Sequence, residues 1–211
     1  MSLTKFLTII ILVLIGINIY IVLDYYSYKE KQKQYINILL HELEETNTFK
    51  VNFSCGIENS GYKLTNILLK DSLNSIFPLD SLCKQSSKTL LICRFSELNC
   101  ESCVNFAIKS ILQNIDSIGK ENVLFMGEFK NNKLFNKRKV AYGIDNLMVF
   151  NSNNLKIPAE SLGYPYYFIV DSSRIIHNMF IPDKGTPHIS SRYLNLIQKR
   201  YFQQVDSISD K

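Results

Sequence analysis

The stretch TLLICRFSELNCESC, residues 89–103, joins a short apolar run to two cysteines. Residues 89–95 suit a buried β-strand, because a short apolar run bounded by polar positions is typical of a strand covered on both faces. Apolar residues then recur every three or four positions, which places them on one face of a helix. These residues are Val104, Ala107, Ile108, Ile111, Leu112, Ile115 and Ile118. The stretch therefore predicts a strand, a short turn that carries the cysteines, and an amphipathic helix.

Further strands and helices follow in an order typical of an α/β domain. The predicted strands cover residues 122–129, 147–150, 166–170 and 175–181, and the predicted helices cover residues 131–142 and 188–203. The early crossovers predict a parallel centre, and the four-residue connection at 171–174 predicts an antiparallel pair at one edge. Residues 49–82 are expected to add one or two strands and a loop. We therefore predict an α/β fold with a mixed central sheet flanked by helices.

Composition and charge narrow the classes of function. The chain has 211 residues, of which 46% are hydrophobic and five are cysteines. It is too apolar to be disordered and has too few cysteines for a disulfide-dense scaffold. Its net charge is +5, and the densest basic cluster lies at residues 130–139. Since no aromatic stacking pattern or nucleic-acid motif accompanies that cluster, we interpret it as a solvated helix face and expect no nucleic-acid partner.

The N-terminal residues predict an attachment rather than part of the core. Residues 6–23 read FLTIIILVLIGINIYIVL and carry no charge, and a helix of that length spans about 27 Å, close to the hydrocarbon thickness of a bilayer. The alternative is a cleaved signal peptide, but this run ends in Ile21, Val22 and Leu23 without the small residues of a cleavage site. We therefore predict an N-terminal transmembrane helix that anchors the protein in the cell membrane by a single pass.

A helical stalk is predicted after this span. Residues 28–46 contain no Pro or Gly, and Ile36, Leu39, Leu40 and Leu43 fall at helical spacing. The predicted organisation is a membrane anchor at 1–23, with its span at 6–23, a helical stalk at 24–47, a folded domain at 48–205 and a C-terminal tail at 206–211.

Cys100 and Cys103 form a C-x-x-C motif at the predicted start of a helix. A helix N-terminus offers unpaired N–H groups and the positive end of the helix dipole, both of which stabilise a thiolate. Cys100 is therefore the predicted nucleophile, and Cys103, one turn further, is predicted to resolve the mixed disulfide. The alternatives are two core thiols or half of a zinc site. The histidines show no paired ligand spacing and there is no second C-x-x-C, so we predict no metal and no other cofactor.

A second element favours the redox interpretation. Gly163, Tyr164 and Pro165 directly precede the strand predicted at 166–170. A proline at a strand entrance is either a plain turn proline or part of a cis peptide bond. With the cysteine pair upstream, the cis bond is favoured.

These motifs resemble the thioredoxin superfamily, in particular the membrane-anchored, TlpA-like thiol-disulfide oxidoreductases of bacterial envelopes. The resemblance covers roughly residues 77–203 and rests on the strand at 89–95, the CESC motif and the sequence GYPYYFIVD at 163–171. It implies a thioredoxin-like fold in which the cis-proline loop packs beside the cysteine pair and binds a substrate polypeptide as an added strand. Tyr164 and Pro165 would then form the substrate-binding wall next to Cys100.

The sequence departs from the family pattern around the cysteines. Asn99 stands where the family usually has an aromatic residue, typically Trp. Glu101 and Ser102 replace the commoner Pro-containing dipeptides, and Arg94 replaces the buried Asp of thioredoxins proper. Glu101 is expected to oppose thiolate formation, and Arg94 to favour it if the guanidinium reaches under the motif. The alternative for Arg94 is an ion pair with Glu97 or another acid.

The remaining cysteines leave two possibilities open. Cys93 is predicted to be a core thiol within its strand. Cys55 and Cys83 either form a structural disulfide, if the domain lies in an oxidising compartment, or remain two free thiols.

The predicted function is exchange of disulfides with envelope proteins through Cys100 and Cys103. Protein thiols and disulfides are the expected partners besides the membrane, and the domain is expected in the periplasm, where disulfides persist. One alternative is a thiol peroxidase on the same fold, although Cys93 and Glu97 occupy the positions where peroxiredoxins have Pro and Thr. Another is a non-catalytic binding module with a thioredoxin fold.

Overall fold

A computed structural model of the chain describes residues 3–86 and 89–203. The chain divides into two compact units, the first ending at Thr46 and the second beginning at Asn47. The first helix, α1 (Leu3–Asn59), contains this boundary. The C-terminal tail predicted at 206–211 lies outside the described residues.

The first unit is helical from Leu3 to its boundary, including the part predicted as a stalk. The apolar stripe formed by Ile36, Leu39, Leu40 and Leu43 is exposed. The transmembrane helix predicted at 6–23 is not supported: in the described part of the chain, no helix is both long and apolar enough to cross a membrane. Within that run, the side chains of residues 6, 8, 9 and 12 lie outside the description.

The second unit is built on one sheet covered by helices. The strands are β1 (Leu68–Lys70), β2 (Ile76–Pro78), β3 (Leu90–Ser96), β4 (Val123–Glu128), β5 (Met148–Ser152), β6 (Tyr166–Val170) and β7 (Ile176–Phe180). The helices after α1 are α2 (Leu79–Ser86), α3 (Glu101–Leu112), α4 (Ile115–Ile118), α5 (Asn132–Ala141) and α6 (Pro187–Ile197). These elements confirm the predicted α/β fold.

Among the described residues, the sheet has seven strands in the order β2-β1-β5-β4-β3-β6-β7. Strand β4 runs parallel to β3 and β5, whereas β6 is antiparallel to both β3 and β7. The mixed sheet, with its parallel centre and antiparallel edge pair, is therefore as predicted. The short strands β1 and β2 extend the sheet beyond β5, also antiparallel.

Both faces of the sheet are buried, which explains the continuous apolar run in β3. Leu91, Cys93 and Phe95 belong to one core cluster, and Leu90 and Ile92 belong to the cluster on the opposite face. A strand covered on both sides needs apolar residues at successive positions rather than alternate ones.

Helix α3 lies against the first of these clusters and carries the cysteine motif at its start. Val104, Ala107, Ile108 and Ile111 are buried there. The buried Tyr167 of β6 donates a hydrogen bond from its hydroxyl to the carbonyl of Ala107 at 2.6 Å. Packing and this hydrogen bond together hold the helix on the sheet.

The helix predicted to continue through Ile118 is interrupted after Leu112. The Asn114 side chain donates to the Ser110 carbonyl at 2.9 Å, and α4 begins at the next residue. Asn side chains compete in this way with helical backbone hydrogen bonds, so periodicity alone overestimates the length of the helix.

Candidate active site

The structure places both cysteines at the N-terminus of α3. Cys100 is the residue before the helix, and Cys103 lies in its first turn. The backbone N–H groups of Cys103 and Val104 donate to the Cys100 carbonyl at 3.0 Å each, which fixes the turn. The Cys100 side chain is exposed, Cys103 is partly buried, and both are free thiols.

Hydrogen bonds to the Cys100 sulfur stabilise its thiolate. They lower the pKa of Cys100 to about 6, with the largest contribution from the Ser102 hydroxyl, followed by the side chain and backbone N–H of Cys103. The Ser102 Oγ lies 3.2 Å from the Cys100 Sγ. At neutral pH the Cys100 thiol is therefore mostly ionised, and the thiolate is the reactive form of cysteine.

Cys103 has the opposite tendency. Partial burial raises its pKa, as do the hydrogen bond and the negative charge of Cys100, while the positive charge of Lys184 lowers it. Cys103 thus keeps its proton while Cys100 is ionised. The two sulfurs are chemically distinct before any substrate arrives, which suits a nucleophile and a resolving thiol.

Glu101 forms an ion pair with a residue of the neighbouring helix α5. Its Oε1 lies 2.5 Å from the Arg138 Nη1, and both side chains are exposed. The positive partner offsets the carboxylate charge beside the cysteines. The opposition to the Cys100 thiolate that the sequence predicted for Glu101 is not among the effects that set the pKa of Cys100, which the hydrogen bonds from Ser102 and Cys103 lower.

Arg94 is fully buried in the sheet and is held by two carboxylates. Its Nε lies 2.9 Å from the Glu160 Oε1, and its Nη2 lies 2.9 Å from the Glu128 Oε2. The remaining N–H groups donate to the Ser152 hydroxyl and to the Gly127 and Asn153 carbonyls. Of the two roles predicted for Arg94, the structure shows the ion pair with another acid rather than a guanidinium under the motif.

The pairing of β6 with β3 brings the loop that contains Pro165 beside the loop that precedes the cysteine motif. Tyr166 pairs with Arg94 in an antiparallel register, so the residues before Tyr166 run beside those that follow Arg94. A pocket of about 210 Å³ lies between these two segments. Its lining residues are Ser96, Glu97, Leu98, Asn99, Glu128, Lys130, Asn154, Glu160, Gly163, Tyr164 and Tyr166. Tyr164 is exposed at this pocket, whereas Pro165 is buried.

Within the described residues every peptide bond is trans, so the cis bond predicted before Pro165 is wrong. The chain reverses earlier, at Gly163, which has a left-handed φ of 73° and ends a short 3₁₀ helix at Pro158–Leu162. Glycine adopts this conformation without a steric penalty. Since the turn is complete at Gly163, a trans bond carries the chain from Tyr164 into β6.

The loop before Cys100 is held by its own hydrogen bonds. The Asn99 Oδ1 accepts from the Ser96 backbone N–H at 2.7 Å, and the Ser96 hydroxyl accepts from the Leu98 N–H at 3.2 Å. Leu98 is nevertheless 88% exposed. The loop therefore presents an apolar side chain to solvent two residues before Cys100.

No role was assigned to Ser102 from the sequence, and Lys184 was not identified, although both make hydrogen bonds at the motif. Ser102 lies inside C-x-x-C and hydrogen-bonds to Cys100, and its type alone, a hydroxyl between two thiols, was a usable signal. Lys184 lies in the loop between β7 and α6, and its Nζ donates to the Ser102 Oγ at 2.9 Å. No sequence pattern links residue 184 to residue 102, because only the tertiary fold brings them together.

The other cysteines are buried free thiols. Cys93 lies inside β3, and burial raises its pKa far above the ordinary value. Cys55 and Cys83 belong to the same core cluster and are not bonded to each other, and burial raises the pKa of each. Across residues 3–86 and 89–203, no group of three or more His, Cys, Asp or Glu side chains is placed to hold a metal ion.

No protein-family model matches this chain, and no curated protein matches it in sequence. A thiol:disulfide interchange protein from Bacteroides sp. matches in structure with a TM-score of 0.53 and 11% identity, over 71% of this chain and 95% of its own. The thioredoxin domain of a thiol-disulfide oxidoreductase from Bacteroides vulgatus matches with a TM-score of 0.46 and 12% identity, over 64% of this chain and 98% of its own. A peroxidoxin from Mycobacterium tuberculosis also has a TM-score of 0.46, with 11% identity over 66% and 97%.

At these identities the comparisons show the fold. The first match, the order of the strands and the position of the cysteine pair at the start of α3 all agree with the resemblance found in the sequence. The chain therefore has a thioredoxin-like fold.

Proposed function

We propose that this protein is a thiol-disulfide oxidoreductase that exchanges disulfides with other proteins through Cys100 and Cys103. The observation that carries the proposal is the polarised pair: an exposed Cys100 whose pKa is lowered to about 6, one helical turn from a partly buried Cys103 whose pKa is raised. Two thiols that only pack in the core would not require different exposure or different pKa values. An exposed cysteine with a lowered pKa is the form that reacts with disulfides.

The reaction proceeds in two steps. The Cys100 thiolate attacks one sulfur of a substrate disulfide, forming a mixed disulfide and releasing the other substrate sulfur as a thiolate. Cys103 then loses its proton and attacks the Cys100 sulfur, and the second substrate sulfur leaves as a thiolate. The substrate gains two electrons and the cysteine pair loses two, forming the Cys100–Cys103 disulfide. Each step is reversible, so the same groups serve oxidation when the pair begins as a disulfide.

The surroundings of Cys100 suit a polypeptide substrate. Tyr164 and Leu98 expose apolar surface at the pocket beside the cysteine loop. An extended segment lying along Tyr164 and Pro165 would place its disulfide near Cys100, the mode of recognition that the TlpA-like resemblance implies.

The proposed compartment is the periplasm, and the support for it is the chemistry of the cysteine pair rather than the N-terminal helix. A dithiol that exchanges protein disulfides is useful where such disulfides persist, which in a Gram-negative cell is the periplasm. A reporter active only outside the cytoplasm, fused to the C-terminus, is expected to be active. Activity of a reporter that works only in the cytoplasm would overturn this part of the proposal.

The activity is tested with the full chain and insulin as a model protein disulfide. The reduced wild-type protein is expected to reduce insulin, Cys100→Ser to lose this activity, and Cys103→Ser to accumulate a mixed disulfide with the substrate. Cys55→Ser is the matched control, because Cys55 is a buried thiol with a pKa of about 11, and it should retain the activity. Insulin reduction that survives Cys100→Ser would refute the proposal, as would hydrogen peroxide consumption much faster than disulfide exchange.

A further inference from the structure

Lys184 lies in the loop between β7 and α6, far from the cysteine motif in the sequence, and its side chain contacts the motif. Its Nζ donates to the Ser102 Oγ at 2.9 Å. The preceding residue anchors the loop: Asp183 accepts hydrogen bonds from the Gly185 backbone N–H at 2.9 Å and from the Thr48 hydroxyl at 3.2 Å. The lysine is therefore held near the motif by a fixed loop, although its side chain is exposed.

Ser102 connects this lysine to the reactive sulfur. A hydroxyl has one proton to donate and lone pairs that accept. Since the Lys184 ammonium occupies a lone pair, the hydroxyl proton is directed to the Cys100 Sγ at 3.2 Å, where a thiolate can only accept. In the reduced protein the three groups form a chain from ammonium to hydroxyl to thiolate.

The hydrogen bonding of Ser102 changes once Cys100 has formed a mixed disulfide with the substrate. The Cys100 sulfur is then neutral and accepts hydrogen bonds poorly, so the Ser102 hydroxyl is released. At the same moment Cys103 must lose its proton, against the burial that raises its pKa. The groups that lower the pKa of Cys103 are Lys184, through its positive charge, and Ser102, through its hydroxyl.

The acidic side chains near the motif interact with other groups, so the positive charge of Lys184 is the one that favours the Cys103 thiolate in this step. Glu101 is neutralised by Arg138 at 2.5 Å, and Asp183 is engaged by Gly185 and Thr48. The negative charge of Cys100, which opposes ionisation of Cys103 in the reduced pair, disappears when the mixed disulfide forms.

We propose that Lys184 and Ser102 are positioning residues that promote the second step of the exchange, with the Ser102 hydroxyl passing from the Cys100 sulfur to the Cys103 sulfur while Lys184 holds it and supplies positive charge. The inference rests on the proposed thiol exchange. In this step the Cys103 proton goes to solvent, the thiolate forms a bond with the Cys100 sulfur, the bond between Cys100 and the substrate sulfur breaks, and the substrate sulfur leaves with the electron pair.

The two steps can be timed separately with dithiodipyridine, a disulfide without charge. Its neutrality matters, because a charged reagent would itself be attracted or repelled by Lys184. Mixed with an equal amount of the reduced full-length protein, it releases one thiopyridone when Cys100 attacks and a second when Cys103 resolves the mixed disulfide. The absence of the second release in Cys103→Ser identifies the second phase.

At neutral pH, Lys184→Gln is expected to slow the second phase by roughly three- to tenfold and to slow the first phase less, because the variant loses the positive charge that favours the Cys103 thiolate. Lys184→Arg should restore most of the rate. The second-phase pH profile of Lys184→Gln should shift to higher pH and meet that of the wild type where Cys103 is fully ionised. Ser102→Ala should slow both phases at low pH.

Lys109→Gln is the matched control, because it removes an exposed positive charge from the same helix α3 and should change neither phase. An unchanged second phase in Lys184→Gln, or an equal effect of Lys109→Gln, would overturn the inference while leaving the proposed function intact. A wild-type protein that never releases the second thiopyridone would instead overturn the proposed function.

Discussion

The Ser102 hydroxyl lies 3.2 Å from the Cys100 sulfur, inside the motif itself, and makes the largest contribution to lowering the pKa of that cysteine to about 6. A hydrogen bond to the charged form of a group favours ionisation. The reactivity of Cys100 therefore depends on the residue between the cysteines.

This relationship predicts the pH dependence of alkylation. The rate of Cys100 alkylation by iodoacetamide should rise through about pH 6 and level off near neutrality. Ser102→Ala should move the midpoint upward, so its rate falls at pH 6 and equals the wild-type rate at alkaline pH. Mass spectrometry of the Cys100 peptide measures both rates. Ser117→Ala, which removes an exposed hydroxyl from α4, should leave the profile unchanged, and a shift of equal size in this control would contradict the assignment.

Arg94 is predicted to be critical for stability. Its replacement by Met leaves Glu160, which is 9% exposed, and Glu128 without their buried cation. Breaking a buried ion pair from one side costs about 3–5 kcal/mol. Urea denaturation of the full chain measures the change in the free energy of unfolding, provided that variant and wild type depend on urea concentration with the same slope.

Arg138→Gln is the control for Arg94, since it breaks the exposed ion pair with Glu101. Exposed ion pairs contribute about 0–1 kcal/mol, so this variant should remain close to the wild type in its free energy of unfolding. Similar losses from the two variants would show that the buried network has no special role.

Gly127 in β4 has no space for a larger side chain. A Cβ placed there would overlap a ring carbon of Phe135, which is itself fully buried. Gly127→Ala should therefore destabilise the domain by about 1–3 kcal/mol through overpacking.

The contrasting variant is Gly56→Ala in α1, where the added Cβ meets only a carbonyl oxygen at 3.8 Å. Alanine is favoured over glycine inside a helix by roughly 0.5–1 kcal/mol, so this change should stabilise the protein. Thermal denaturation of the two variants should give shifts of opposite sign, and a neutral Gly127→Ala would mean that the β4–α5 packing is looser than the structure shows.

Leu98 is predicted to contact polypeptide substrates. It is 88% exposed on an ordered loop beside Cys100. Leu98→Ala should lower kcat/KM for a protein disulfide by roughly tenfold, the effect of losing about 1–2 kcal/mol of apolar burial, and leave the rate with dithiodipyridine unchanged.

The matched control for this surface is Leu73→Ala, which truncates an equally exposed leucine (85%) in the β1–β2 turn. It should affect neither substrate. If Leu98→Ala slows both substrates equally, the leucine acts on the reactivity of Cys100 rather than on binding.

The fold was largely predictable because it follows from periodicity. The apolar run of β3 and the helical spacing after Cys100 identify a covered strand and a helix packed on it, and the structure has both. The position of the cysteine pair was also predictable, because the pair lies where the apolar run of the strand ends and the helical spacing begins.

The environment of the site was less predictable, because tertiary contacts determine it. The partners of Arg94 are brought to it by β4 and by a distant 3₁₀ helix, and Lys184 comes from the loop after β7. The conformation before Pro165 depended on Gly163, whose left-handed turn made the predicted cis bond unnecessary.

The most direct test of the polarised pair is a redox titration of the full chain against graded ratios of reduced to oxidised glutathione, with alkylation and mass measurement of Cys100 and Cys103. Disulfide exchange by this pair predicts a single two-electron transition in which both thiols disappear together, while the buried Cys93 remains unmodified until the protein unfolds. If Cys100 and Cys103 stay as thiols across the whole range, or are oxidised independently of each other, the pair is not a redox centre.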